Sequence, residues 1–204
     1  MEIYELIEKL FPICRSITGK GIRETLSYFE RYNNDFKRIK FKTGERVFDW
    51  EIPKEWNIED AYIKHLESGL KFAEFKKNNL HIVNYSEPVN KILDLKEFNS
   101  RIHTSNIDNS YIPYVTSYYK KYWGFCLSKN DLNKLPSGKY KVVINSSFKN
   151  GTLELSHAFL KGYSKKEILL SSYVCHPSMA NNELSGPVII NALIKLRLSN
   201  ILKK

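Results

Sequence analysis

No stretch of this 204-residue chain approaches the ~18–20 consecutive apolar residues that a helix needs to span a bilayer, so no membrane span is expected. The start, Met1-Glu-Ile-Tyr-Glu-Leu6, lacks the basic, apolar and small-residue regions of a secretory signal, and a cytoplasmic location is expected. Cysteine is scarce. Cys14, Cys126 and Cys175 are odd in number and widely spaced, which fits reduced thiols rather than a disulfide framework. Without secretion, the glycosylation-type triplets at Asn84 and Asn145 carry no meaning. A concentrated basic face is missing too, despite a net charge of +10: the 32 Lys and Arg residues lie scattered, singly or in pairs such as Lys76-Lys77, Lys120-Lys121 and Lys165-Lys166. Clustered cations are what release counterions from phosphates, so specific nucleic-acid binding is not expected. Internal repeats and low-complexity segments are absent.

What is present suffices for a buried core. Apolar residues make up 42% of the chain and aromatics 13%, enough for one domain or two small ones. Ile3, Leu6, Ile7, Leu10 and Phe11 share one helical face over residues 2–11, and Pro12 stops that helix. A second helix is expected over 21–32, carrying Ile22, Leu26 and Phe29. The period then shortens to two. Residues 36–42 alternate, and 47–53 would place Phe48, Trp50 and Ile52 on one face of a strand. Further short strands are expected near 61–66, 70–75 and 80–84. From Lys139, residues 140–144, 151–160 and 167–174 read as successive strands, the third apolar enough to be buried on both faces. Ser185-Gly-Pro187 then opens an apolar helix reaching about Ser199. The organisation expected is helices and a first strand over 1–45, a β-rich insert over 46–137, and a strand-and-helix segment over 138–204.

The segment from Ser171 to Gly186 carries the chemistry. Read as a strand delivering His176 to a loop before a helix N-terminus, it has the layout of a metal or catalytic site in an open α/β sheet. A lone His is more often structural than a ligand, but the oxygen-rich loop beside His176 favours ligation. Neighbours on a strand face opposite ways, so Cys175 reads as a core thiol that does not share an ion with His176. Asn181, Asn182 and Glu183 read either as helix caps or as oxygen ligands. His103 and His157 are weaker candidates, His157 being most simply a packed or edge residue. The aromatic run from Tyr111 to Phe125 reads as packing, with stacking on a sugar or a base the competing reading. Arg15 and Arg23 suit either a bidentate grip on a substrate carboxylate or a local role, such as an ion pair with Glu24.

Four long motifs carry a resemblance to a known family. The segment from Cys175 to Pro187 resembles the first metal motif of bacterial aminopeptidase-like proteins associated with polysaccharide biosynthesis loci, whose sheet is similar to that of the two-zinc aminopeptidases. The segments from Leu10 to Leu26, Val47 to Tyr62 and Ile112 to Ser128 resemble the same family, in the same order. The resemblance implies an α/β fold: a partial α/β/α zinc-exopeptidase-like (phosphorylase/hydrolase-like) sheet with a β-rich inserted domain. It implies zinc as cofactor and His176 as a ligand. Asn182 stands where the family pattern places an Asp that bridges two zincs, and an amide offers only one neutral carbonyl oxygen there. Peptide or amide hydrolysis is the implied activity. The general base and remaining ligands would follow residue 204, so the chain is expected to be the inactive N-terminal part of such a hydrolase, either completed by a separately encoded C-terminal half or a decayed remnant. The competing reading is a non-catalytic binding or scaffold protein for cell-surface polysaccharide assembly.

Overall fold

A computed structural model describes residues 3–32, 35–162 and 164–198. The chain divides into two compact units, Met1–Glu55 with Asn150–Lys204, and Trp56–Lys149.

In the first unit, helix α1 (Ile3–Leu10) and helix α2 (Lys20–Tyr32) form where the sequence spaces its apolar residues at a helical period. Leu6 and Leu10 of α1, with Phe29 of α2, pack against Leu184 and Val188 near the other end of the chain. Helix α5 (Ser185–Leu198) supplies Val188, and a single π-helical turn, Ala180–Leu184, leads into it. Strands β1 (Lys37–Lys42) and β10 (Thr152–His157) make an antiparallel ribbon with Lys37 opposite His157. The face of the ribbon toward α2 is charged rather than apolar. Arg38 bonds Glu30 and the buried Glu154, while Arg23 grips Glu55 through two hydrogen bonds of 2.7 and 2.6 Å.

The second unit is built on a four-stranded sheet. Strand β4 (Glu55–His65) and strand β9 (Lys139–Lys149) are central, flanked by β5 (Lys71–Phe72) and β6 (Val89–Asp94). Alternate residues Ala61, Ile63 and His65 of β4 and Tyr140, Val142 and Ile144 of β9 are buried, as a half-covered sheet requires. Two short helices are each capped locally: α3 (Leu95–Phe98) starts from an Asp94–Glu97 capping box, and α4 (Lys129–Leu132) from Ser128. A small parallel pair, β7 (Ile102–His103) and β8 (Phe125–Cys126), holds the aromatic segment. That segment is mostly half-buried, with Tyr118 edge-on to Tyr85 and Tyr114 bonded to Tyr118, while Tyr111 and Tyr119 stay exposed and Phe125 is buried.

The mixed α/β class holds, but three expected strands do not form. Residues 47–53 are not one strand. Strands β2 (Arg46–Val47) and β3 (Trp50–Glu51) instead make a hairpin turning at Phe48 and Asp49, with Phe48 at φ 56° and almost fully exposed. Residues 79–81 form a 3₁₀ turn. The largest departure is 167–174, expected as a buried central strand: it has no regular structure, and Ile168 and Leu169 are 90% and 88% exposed. An apolar run becomes a central strand only where other strands bond both its edges and side chains cover its faces. Among the described residues none does so.

Candidate metal centre

The site is assembled from the two ends of the first unit. After α1, the chain turns through residues 12–19 and carries Arg15 inward. Gly21 permits this approach, since a Cβ there would lie 1.8 Å from the Cys14 carbonyl oxygen. Arg15 is fully buried. Its Nε donates to the His176 carbonyl at 2.9 Å and its guanidinium also reaches the Leu10 carbonyl.

From the other side comes the π-helical turn. Such turns hold one more residue than an α-turn, and they change which side chain faces inward. Glu183 is fully buried, whereas Asn181 and Asn182 are exposed. The Glu183 carboxylate spans His176: Oε1 accepts the His176 backbone N–H at 2.6 Å, and Oε2 lies 2.8 Å from ring atom Nδ1. Cys175 completes the group. Its sulfur, a His176 ring nitrogen and a Glu183 carboxylate oxygen all lie within 4.8 Å of one another.

The electrostatics follow from this crowding. Hydrogen bonds to Cys175 and Glu183 push His176 up to about 10, against the opposing effect of burial. Burial pulls Arg15 down to about 10, with Glu183, Cys14 and Cys175 opposing the shift. Burial also pushes the Cys14 thiol up to about 12, so Cys14 stays a thiol beside Arg15.

Cys175 is half-buried rather than a core thiol, because 175–176 is irregular and the strand rule of opposite faces does not apply. His103 lies in the second unit, bonded through Nε2 to the Tyr122 hydroxyl at 2.9 Å. His157 ends β10 and is exposed. Arg23 pairs with Glu55, not Glu24. The grip of Arg15 on the His176 main chain is the feature that sequence reading missed; its only signal was a basic residue in an otherwise uncharged loop.

The set of donors suits zinc: a thiol, an imidazole and a carboxylate are its usual ligands. Three comparisons place the chain among known proteins. Residues 4–203 match DUF4910, a domain of unknown function. A Clostridium acetobutylicum protein, provisionally named a polysaccharide biosynthesis protein with an aminopeptidase-like domain, is 46% identical over 194 residues, which are 95% of this chain and 44% of that protein. The crystal structure of a provisionally assigned peptidase from C. acetobutylicum matches with a TM-score of 0.92 at 46% identity, over 97% of this chain and 46% of that one. The chain therefore spans a little under half the length of these relatives.

Proposed function

Because this chain belongs to the DUF4910 family, we propose that it forms the metal-binding first part of an aminopeptidase-like zinc hydrolase linked to polysaccharide biosynthesis. The observation that carries this reading is the grip of buried Glu183 on His176. A histidine whose backbone and ring are both tied to one carboxylate has a fixed ring direction, which is what a metal ligand needs. In this reading His176 is a zinc ligand, and Asn182 stands at the position of the bridging residue. When bound, zinc would supply Lewis-acid polarisation of an amide carbonyl and a water of lowered pKa.

The chain's own residues hold and orient. Glu183 fixes the imidazole, and Arg15 fixes the main chain from the opposite side while balancing the Glu183 charge. Glu183 is too buried and too engaged to act as a general base toward a solvent-side substrate. That base, with further ligands, belongs to the part of the relatives' length that this chain does not span. In the completed α/β/α sheet, 167–174 becomes a covered strand.

The test is hydrolysis of aminoacyl-p-nitroanilides. The chain with zinc alone leaves them intact. Joined to the portion of the C. acetobutylicum relative that it does not span, it cleaves them, and His176→Ala abolishes the cleavage. A completed, folded protein that retains zinc yet hydrolyses no aminoacyl amide would overturn the hydrolase reading and favour a binding role.

A further inference from the structure

We propose that Arg101, Lys120, Tyr122 and Trp123 form a binding site for a carboxylate-bearing saccharide, the guanidinium taking the carboxylate and the aromatic segment the sugar ring. The site lies entirely within the second unit, uses none of the residues around His176, and is independent of the hydrolase reading.

Strands β7 and β8 bring these residues together. They run parallel with Ile102 opposite Phe125, so the residues leading into each emerge at one end: Arg101 before β7, Tyr122 and Trp123 before β8. Gly124 allows the approach, since a Cβ there would lie 2.8 Å from the Arg101 carbonyl oxygen and 3.0 Å from the Tyr122 ring. The Arg101 guanidinium lies 4.7 Å from the Tyr122 ring centroid and 5.3 Å from that of Trp123, and the Lys120 ammonium lies 5.5 Å from the Tyr122 centroid. His103 Nε2 holds the Tyr122 hydroxyl at 2.9 Å. Burial, then the Lys120 charge, keeps His103 below its ordinary value, so it adds no third charge at neutral pH. Two cations thus share one ring, and among the described residues no carboxylate pairs with either. Arg23 and Arg38 of the first unit, by contrast, are both held by glutamates. Ring contact serves the face of a guanidinium but not its five N–H donors, which lie in its plane. A carboxylate fits that edge bidentately and relieves the repulsion between the two cations. Arg101, Tyr122 and Trp123 are half-buried, so the fork is held in place yet reachable. Aromatic rings beside the charges favour a sugar over a bare anion: Tyr119, next to Lys120 in the chain, is 82% exposed and offers a flat apolar face. A polynucleotide needs a longer track of cations than Arg101, Lys120 and Lys121 provide.

The experiment titrates the chain with trigalacturonate, following binding heat and tryptophan fluorescence. Saturable binding is expected, with the neutral trisaccharide galactotriose at least ~10-fold weaker, since charge-assisted hydrogen bonds are worth about 10–100-fold. Arg101→Lys keeps the charge but loses the planar fork, and should weaken binding about 10-fold. Lys120→Gln should weaken it about 2–5-fold, as an exposed charge does. Trp123→Phe should remove the fluorescence response and keep most of the binding heat. Lys165→Gln, at an exposed position of the first unit, should change nothing. The Arg101 variant is read beside its urea midpoint, and Lys120→Gln, also at an exposed position, supplies the arm that tolerates substitution. No heat and no fluorescence change from the folded chain would overturn the site, as would binding indifferent to both the Arg101 and Lys120 substitutions. Galactotriose, inorganic phosphate or an oligonucleotide of equal charge binding as tightly as trigalacturonate would overturn the acidic-saccharide assignment. None of these arms touches His176, so their failure leaves the hydrolase reading standing, and a completed protein that hydrolyses nothing leaves this site standing.

Discussion

Glu183 and Arg15 are the residues on which the site's geometry depends, and both are charged and fully buried. The Glu183 charge offsets that of Arg15, and its carboxylate accepts the His176 backbone N–H, so removing it leaves a buried charge and a buried donor uncompensated in a low-dielectric interior. Glu183→Ala should therefore cost about 3–5 kcal/mol, read as a fall in the urea midpoint, and Arg15→Met should recover part of that loss in the double variant. Two histidines of the second unit make pH dependence testable. Burial holds His81 below its ordinary value, with a hydrogen bond to the Cys126 carbonyl opposing; burial, then Lys120, does the same for His103. Depressed histidines are protonated first in the unfolded chain. The stability they contribute is present above an unfolded pKa of about 6.5 and is lost as pH falls through the folded values. His176, held above its ordinary value, works in the opposite direction over the same range, so the comparison is with a variant carrying His81→Gln and His103→Gln: as pH drops from about 7 to about 5, wild type should lose more of its urea midpoint than that variant does.

Among the elements, the helices were legible because apolar residues at spacings of three and four leave a pattern that any core can use. The β2–β3 hairpin was not, because its turn is set by Phe48 in a left-handed conformation, which β-branched and aromatic runs do not announce. Relief of about 1–2 kcal/mol of left-handed strain, less the extra entropy glycine loses on folding, should make Phe48→Gly more stable by about 0.5–1 kcal/mol. The almost fully exposed side chain makes no packing contribution that would offset this gain. Gly21→Ala acts in the opposite direction. Its methyl would meet backbone rather than a movable side chain, so the Arg15 loop must shift, at a cost of about 1–3 kcal/mol in thermal or urea melts. Zinc retention by the chain should fall with it, because the displaced loop carries the hydrogen bond to His176.

For the whole molecule, the open segment 167–174 is the main liability. Ile168 and Leu169 are exposed beside half-exposed Leu170 and Tyr173, and α5 adds Ile189 and Leu196. Apolar backbone without strand partners is a template for association. Ile168→Ser with Leu169→Ser should lower light scattering of the chain while changing the unfolding free energy by no more than about 0.5 kcal/mol, since neither side chain is buried. No helix among the described residues is long and apolar enough to cross a membrane. The sequence by itself determined α1, α2, α5 and the strands β1, β9 and β10, along with family membership through its ordered motifs, because periodicity and motif are local properties of the chain. It also singled out His176. Only the tertiary structure decided that Glu183 faces inward while Asn182 faces solvent, that Cys175 joins them, and that Arg15 supports His176 across 161 residues of sequence. Contacts between distant segments leave no period and no spacing to read; they exist only once α1 and α5 have buried Leu6, Leu10, Leu184 and Val188 against one another.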